Sequence, residues 1–167
     1  PTATICGVTV YFSENFDGVT APALPPGWVS TFTPGPANCI PTGTCALGTN
    51  WATSTTAPDT PPNCVFHNAP GCVTDSTLDT PSFVSGGTNG TLLYFRHSFD
   101  LENGRDGAVL EISINGGPFV DFVAAGGGDL GYNGTISPGS FSPIAGRSAW
   151  TGNSGGYLYV LFTAMPP

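Results

Sequence analysis

Hydrophobic residues in this chain alternate with polar ones at a period of two or gather in short runs, and nowhere repeat at the 3.6-residue period of an amphipathic helix. Ala, Leu, Glu and other helix formers do not cluster, while Thr, Val, Phe, Tyr and Gly dominate. The pattern predicts strands throughout. Residues 2–12 (Thr-Ala-Thr-Ile-Cys-Gly-Val-Thr-Val-Tyr-Phe) form the first, followed by 28–32 and 50–55. Residues 92–99 are apolar on both faces, the pattern of a central strand. Residues 108–115 alternate, with Ala108, Leu110, Ile112 and Ile114 on one face and Val109, Glu111, Ser113 and Asn115 on the other. Asn115-Gly116-Gly117 then predicts a hairpin turn, because Asn and Gly tolerate the positive φ such turns need. Its return strand is 119–124, and 148–150 and 157–163 complete the set.

Between the strands lie Pro- and Gly-rich loops at 33–49, 56–76 and 126–146. Many short strands without helices predict an all-β fold, a two-sheet antiparallel β-sandwich or jelly roll with disulfide-stapled loops. The 167 residues fit one domain, and the sequence offers no internal repeat or boundary. Gly (24) and Pro (17) punctuate apolar runs rather than forming a low-complexity tract, so the chain is expected to fold.

Charge narrows the function. Only 8% of residues are charged, Lys is absent, and Arg96, Arg105 and Arg147 stand against eleven acids, for a net charge of −8. Nucleic-acid phosphates need clustered cations, and anionic lipid needs a basic patch, so both partners are disfavoured. No apolar run reaches the roughly 20 residues of a membrane-spanning helix, so no membrane insertion is expected. No signal peptide is visible. The chain begins at Pro1 rather than Met, and reads as a processed product or as part of something longer.

Five cysteines are present, with no CxxC or HxxxH spacing to suggest zinc. Their spacing favours two local staples, Cys39 with Cys45 and Cys64 with Cys72, although sequence alone does not fix the connectivity. Cys6 is then left as a free or intermolecular thiol. Disulfides imply an oxidising compartment, hence a secreted or cell-surface protein.

Several segments resemble chemical motifs. Gly152-Asn153-Ser154-Gly155-Gly156 fits G-x-S-x-G and is similar to the nucleophile motif of trypsin-like proteases. An elbow needs a following helix, but 157–162 is strand-like, and the only histidines, His67 and His97, sit in a loop and in mid-strand. A glycine turn is the ordinary reading. Gly126-Gly127-Gly128-Asp129-Leu130-Gly131 matches G-x-G-x-x-G, yet no helix follows to receive a phosphate. Asp100, Glu102 and Asp106 share one loop and could present oxygen ligands to Ca²⁺; a solvated acidic turn paired with Arg105 is the plainer alternative. Trp28, Trp51, Trp150 and five Tyr could stack on glycans, although such residues more often plug a core. No base–nucleophile pair can be named, so no enzyme is expected.

A set of short motifs recurs in order from Ser13. Glu14-Asn15-Phe16-Asp17-Gly18 precedes Leu24-Pro25-Pro26-Gly27-Trp28; Asn50-Trp51 follows, then Asp75-Ser76-Thr77-Leu78-Asp79-Thr80-Pro81 and the strands at 92–99 and 108–119. Together, over residues 13–163, they resemble the bacterial choice-of-anchor and cleaved-adhesin jelly rolls, relatives of the MAM domain. The resemblance implies a non-catalytic structural or adhesive domain of the bacterial surface, with calcium sometimes held near the first strand. By motif, the ligands would be Asp17, Asn50 and Asp75.

Family members continue past the strand at 157–163, whereas this chain stops at Pro167 and carries residues 2–12 in front. A sheet short of one strand exposes unpaired backbone. Residues 1–12 are thus expected to be a donor strand, with 13–167 the jelly roll. Through Ile5, Val8, Val10 and Phe12 one copy would complete the sheet of the next, giving a homopolymeric filament in which Cys6 could bond between subunits. Three alternatives stand beside this: residues 2–12 complete the domain's own sheet, the C-terminal part of the fold lies beyond Pro167, or the chain is a monomeric calcium-dependent carbohydrate-binding or adhesion module.

Overall fold

Every regular element among the described residues is a β-strand, and every strand pairs antiparallel with a single partner. The structure, a computed structural model, describes residues 3–5, 8–35, 49–68, 70, 72–85 and 91–162. Contacts divide the chain into two compact units, Pro1–Val84 and Ser85–Pro167. The division falls beside Gly86-Gly87-Thr88-Asn89-Gly90, a glycine-rich stretch of the kind that separates elements.

In the first unit β1 (Ala3–Ile5) pairs with β2 (Val8–Val10), β3 (Val29–Pro34) with β6 (Thr74–Asp79), and β4 (Ala52–Ser54) with β5 (Cys64–Phe66). Residues 2–12 are therefore not one extended strand. Ala3 faces Val10 and Ile5 faces Val8, so the segment folds back on itself within its own copy. The donor-strand expectation is corrected on this point, because each half of the segment already spends one ladder edge on the other half. Phe12 lies beyond the hairpin and stacks on Phe83, with ring centroids 5.1 Å apart and planes 11° apart. Trp28 packs on Phe12 and on Phe16.

The turn that delivers Trp28 follows from its sequence. The Trp28 N–H donates to the Pro25 carbonyl, Pro26 presets the first central position, and Gly27 takes the positive φ of 84° at the second. Asn63, almost fully buried, donates its side-chain amide to the carbonyls of Phe16 and Val19 at 2.9 Å each. It thereby ties the approach to β5 to the Asn15–Val19 turn and leaves neither donor orphaned.

The expected Cys64–Cys72 staple is not formed. Cys64 is a free thiol whose Sγ lies 3.6 Å from the carbonyls of Ser54 and Thr56, either of which can accept its one proton weakly, because β5 aims it back at the strand before it. Cys72 is disulfide-bonded. Cys6, Cys39 and Cys45 lie outside the described residues.

The second unit holds β7 (Leu93–His97) paired with β12 (Leu158–Phe162), β8 (Glu111–Ile112) with β9 (Val120–Asp121), and β10 (Gly134–Thr135) with β11 (Ser148–Ala149). An isolated bridge joins Ala108 to Trp150. Phe122, Leu130, Trp150, Val160 and Phe162 form its core, with Leu93, Phe95, Leu110 and Ile112 packed against them. Burying side chains of this size stabilises by roughly 1.5–3 kcal/mol each. The hairpin expected at Asn115-Gly116 is present. Both residues have positive φ, 54° and 74°, and the Gly117 N–H closes the turn on the Ile114 carbonyl at 3.0 Å.

Asn133 and Thr151 hold two segments of this unit together. The Asn133 side chain accepts the Thr151 N–H at 2.8 Å and donates to the Thr151 carbonyl at 2.9 Å, imitating a strand partner. The buried Thr151 hydroxyl donates to the Asp106 carbonyl at 2.7 Å and accepts the Gly104 N–H at 2.8 Å.

Candidate functional site

The β7–β12 ladder presents two chemically different faces. Its register places Phe95 opposite Val160 and Leu93 opposite Phe162, and these point into the core. The alternate positions pair Arg96 with Tyr159 and Tyr94 with Leu161. Those four side chains stand on the outer face, with Tyr94 52% and Tyr159 63% exposed. The sequence pattern of a strand buried on both sides is thus corrected: β7 has one partner among the described residues, and one face is open.

Tyr94 and Tyr159 touch across the strands, with ring centroids 4.7 Å apart and planes 52° apart. Directly opposed and diagonal cross-strand neighbours lie within reach of aromatic side chains, which is why this register brings them together. The Arg96 guanidinium lies 5.9 Å over the Tyr157 ring, a cation–π contact that holds it along the face. The result is an amphipathic patch of rings on an exposed sheet face, rimmed by a guanidinium. Exposed apolar patches of this kind mark binding surfaces.

The tryptophans singled out from sequence behave differently. Trp150 is 4% exposed and packs edge-on against Phe95, His97 and Tyr132. Trp28 and Trp51 are partly buried, the latter against His67. The exposed rings of the β7–β12 face are tyrosines.

Ser154 is occupied by structure. Its hydroxyl donates to the Gly156 carbonyl at 2.7 Å, with the Phe99 carbonyl a second acceptor in reach at 3.1 Å, and accepts the Phe99 N–H at 2.9 Å. No histidine is among its hydrogen-bond partners, and the motif is a glycine turn with positive φ at Gly152, Gly155 and Gly156. His97 packs 4.4 Å from Trp150, and burial lowers its pKa. Burial likewise lowers that of His67, against a smaller opposing hydrogen bond with the Thr49 backbone.

The expected calcium ligands do not converge in any contact. Asp17 accepts the Asn15 side-chain amide at 2.8 Å and the Asn63 N–H at 3.2 Å, so its carboxylate organises the loop it belongs to. Asn50 is exposed ahead of β4, and Asp75 is exposed on β6 opposite Thr33. In the acidic loop, Glu102 pairs with Arg105 at 3.3 Å, and both side chains are well exposed. Among the described residues no three His, Cys, Asp or Glu side chains gather as a metal cluster.

One carboxylate pair escaped the sequence. Glu111 and Asp121 face each other across β8–β9. Arg147 spans both, at 2.6 Å to Glu111 and 2.8 Å to Asp121. Burial alone would lower the Arg147 pKa, but the hydrogen bonds to Asp121 and Glu111 outweigh it and raise the value. Beside this knot, burial pushes the Tyr132 phenol up to about 12, against the opposing hydrogen bond from the Leu110 backbone. A shallow recess of about 350 Å³ lies between Tyr132, Arg147 and Asp121. The single guanidinium is spent on both carboxylates of the knot, so the knot reads as structural.

Comparison with protein-family models, curated proteins and solved structures finds no match for this chain. The fold and site therefore define the class by themselves: an all-β protein of short antiparallel ladders, with an exposed tyrosine face on one of them. No helix among the described residues is long and apolar enough to cross a membrane.

Proposed function

We propose that this chain is a non-catalytic, extracellular structural or adhesive protein of the bacterial surface, and that the outer face of β7–β12 is its contact surface. The observation that carries the proposal is the exposed Tyr94–Tyr159 pair on a strand face free of acidic residues. Eleven acids lie elsewhere in the chain, so an acid-free aromatic patch is where a partner meets least electrostatic resistance. A disulfide at Cys72 and the scarcity of charge support an oxidising, extracellular setting. Alternating half-buried and exposed positions along β7 support a jelly-roll architecture, in which the ladders are parts of two larger sheets.

Assembly into a filament through residues 2–12 is a second form of the same role. The β1–β2 hairpin supports it in one respect: among the described residues it pairs with no third strand, and a lone two-stranded hairpin is marginally stable. Strand exchange would require that hairpin to open; addition of the intact hairpin along a sheet edge would not. Calcium on Asp17, Asn50 and Asp75 is not needed for either form.

The test is retention of the purified chain on surfaces coated with polysaccharides, with glycoproteins and with the chain itself. Wild type should be retained on at least one, and the double variant Tyr94→Ser/Tyr159→Ser should lose that retention while its far-ultraviolet circular dichroism stays unchanged. Equal retention of both proteins would refute the contact surface.

A further inference from the structure

We infer that the β7–β12 face binds a neutral saccharide chain, an inference that rests on the contact-surface role proposed above. Tyr rings are apolar on their faces and polar at the hydroxyl, which matches the alternating C–H and O–H surfaces of a pyranose. Tyr94 and Tyr159 offer two such rings in contact, 4.7 Å apart at their centroids. Their planes differ by 52°, so one flat ligand covers only one of them. A linear glycan, whose successive rings are turned relative to one another, can address both.

The polar rim suits the same ligand. Arg96 sits directly opposite Tyr159 and is held along the face by the Tyr157 ring. A guanidinium carries N–H donors and no acceptor, so what Arg96 can add at the edge of the rings, beside the contacts it already makes, is donation to sugar oxygens. Leu161, opposite Tyr94, extends the apolar floor.

Charge selects among saccharides. The chain carries −8 overall, which repels uronate, sulfated and other anionic polymers at long range. Residues 91–98 and 157–163 contain no Asp or Glu, so a neutral chain covers no carboxylate at the face itself. A second copy of this protein would bring the same −8 to the surface and must overcome that repulsion. A neutral glycan does not.

Native affinity electrophoresis separates the alternatives. The full chain is run through gels containing hydroxyethylcellulose, galactomannan or, as the anionic control, polygalacturonate. Beside it run Tyr94→Ser, Tyr159→Ser and, as an apolar-surface control, Phe141→Ser, which alters a ring 70% exposed elsewhere in the unit. Retardation by a neutral polymer, weakened about tenfold by each tyrosine change and untouched by Phe141→Ser, supports the inference. Retardation that survives both tyrosine changes overturns it. Absence of retardation by every neutral polymer also overturns it. In that case, if light scattering shows self-association that the tyrosine changes abolish, the contact surface stands and only its ligand was misassigned; if no association is affected, the contact surface falls too.

Discussion

Glu111 and Asp121 sit directly opposite each other on the β8–β9 ladder, and the Arg147 guanidinium closes on both carboxylates. Like charges facing each other across a strand pair are destabilising, and the arginine converts the repulsion into a bridge between β9 and the segment leading into β11. Arg147→Met should lower unfolding stability by about 1–2 kcal/mol, a modest value because all three groups are partly exposed and screened. Urea titration measures it. Combining Arg147→Met with Glu111→Gln and Asp121→Asn should recover most of the loss, and an unchanged midpoint for Arg147→Met alone would remove the bridge from the list of supports.

In the Asn133–Thr151 bracket Thr151 is buried and Asn133 is exposed, so removing the Thr151 hydroxyl orphans the Gly104 N–H and the Asp106 carbonyl, while removing the Asn133 side chain leaves groups that water can reach. Thr151→Val should cost about 1–3 kcal/mol, and the exposed Asn133→Ala less, about 0.5–1.5 kcal/mol. The Thr151 hydroxyl bonds Gly104 and Asp106 whereas Asn133 bonds the Thr151 backbone, so the two side chains share no hydrogen-bond partner and the double variant should lose close to the sum. A loss well short of the sum in chemical denaturation would mean that the two side chains act as one unit.

Stability should fall on mild acidification. In the folded chain the pKa values of His97 and His67 lie below the ordinary 6.5, chiefly through burial. Between the folded value and 6.5 the unfolded chain binds more protons, so unfolding becomes easier as pH drops. The contribution is complete above 6.5, is lost progressively as pH falls from there through the folded pKa values, and is flat below them. Thermal midpoints measured between about pH 8 and about pH 4 should show this slope, and His97→Phe should make it shallower. A slope of opposite sign, or one indifferent to His97, would contradict the burial of that ring.

Alkylation without prior reduction should label Cys64 and not Cys72, as read by peptide mass mapping. Labelling of neither would restore the Cys64–Cys72 staple.

Much of the second unit was legible in the sequence because its signals are local. The Asn115-Gly116 turn is written in two residues, and the inward set Ala108, Leu110 and Ile112 follows from alternation. Strand β6 was not legible, since Asp75, Ser76 and Asp79 carry no strand preference; its pairing with β3, where the Thr31 and Thr77 hydroxyls meet at 2.8 Å, decides it. The fold of residues 2–12 turned on whether Ala3–Ile5 pairs with Val8–Val10, and β-branched residues in both halves read equally well as one strand. The Cys64 thiol was misassigned because spacing says nothing of direction along a strand. The tyrosine face was hidden for a related reason. Leu92, Tyr94, Phe95 and the rest read as apolar on both sides, and only the register with β12 separates Phe95 and Phe162 inside from Tyr94 and Tyr159 outside.

Hydroxyl-radical footprinting of the full chain addresses that face most directly. Alone in solution, Tyr94 and Tyr159 should oxidise readily while Trp150 and Phe122 stay protected. With a retained neutral polysaccharide present, both tyrosines should become protected and Phe141 should not. Tyrosines as protected as Trp150 in the free chain, or equally oxidised with and without the polysaccharide, would contradict the proposed contact surface.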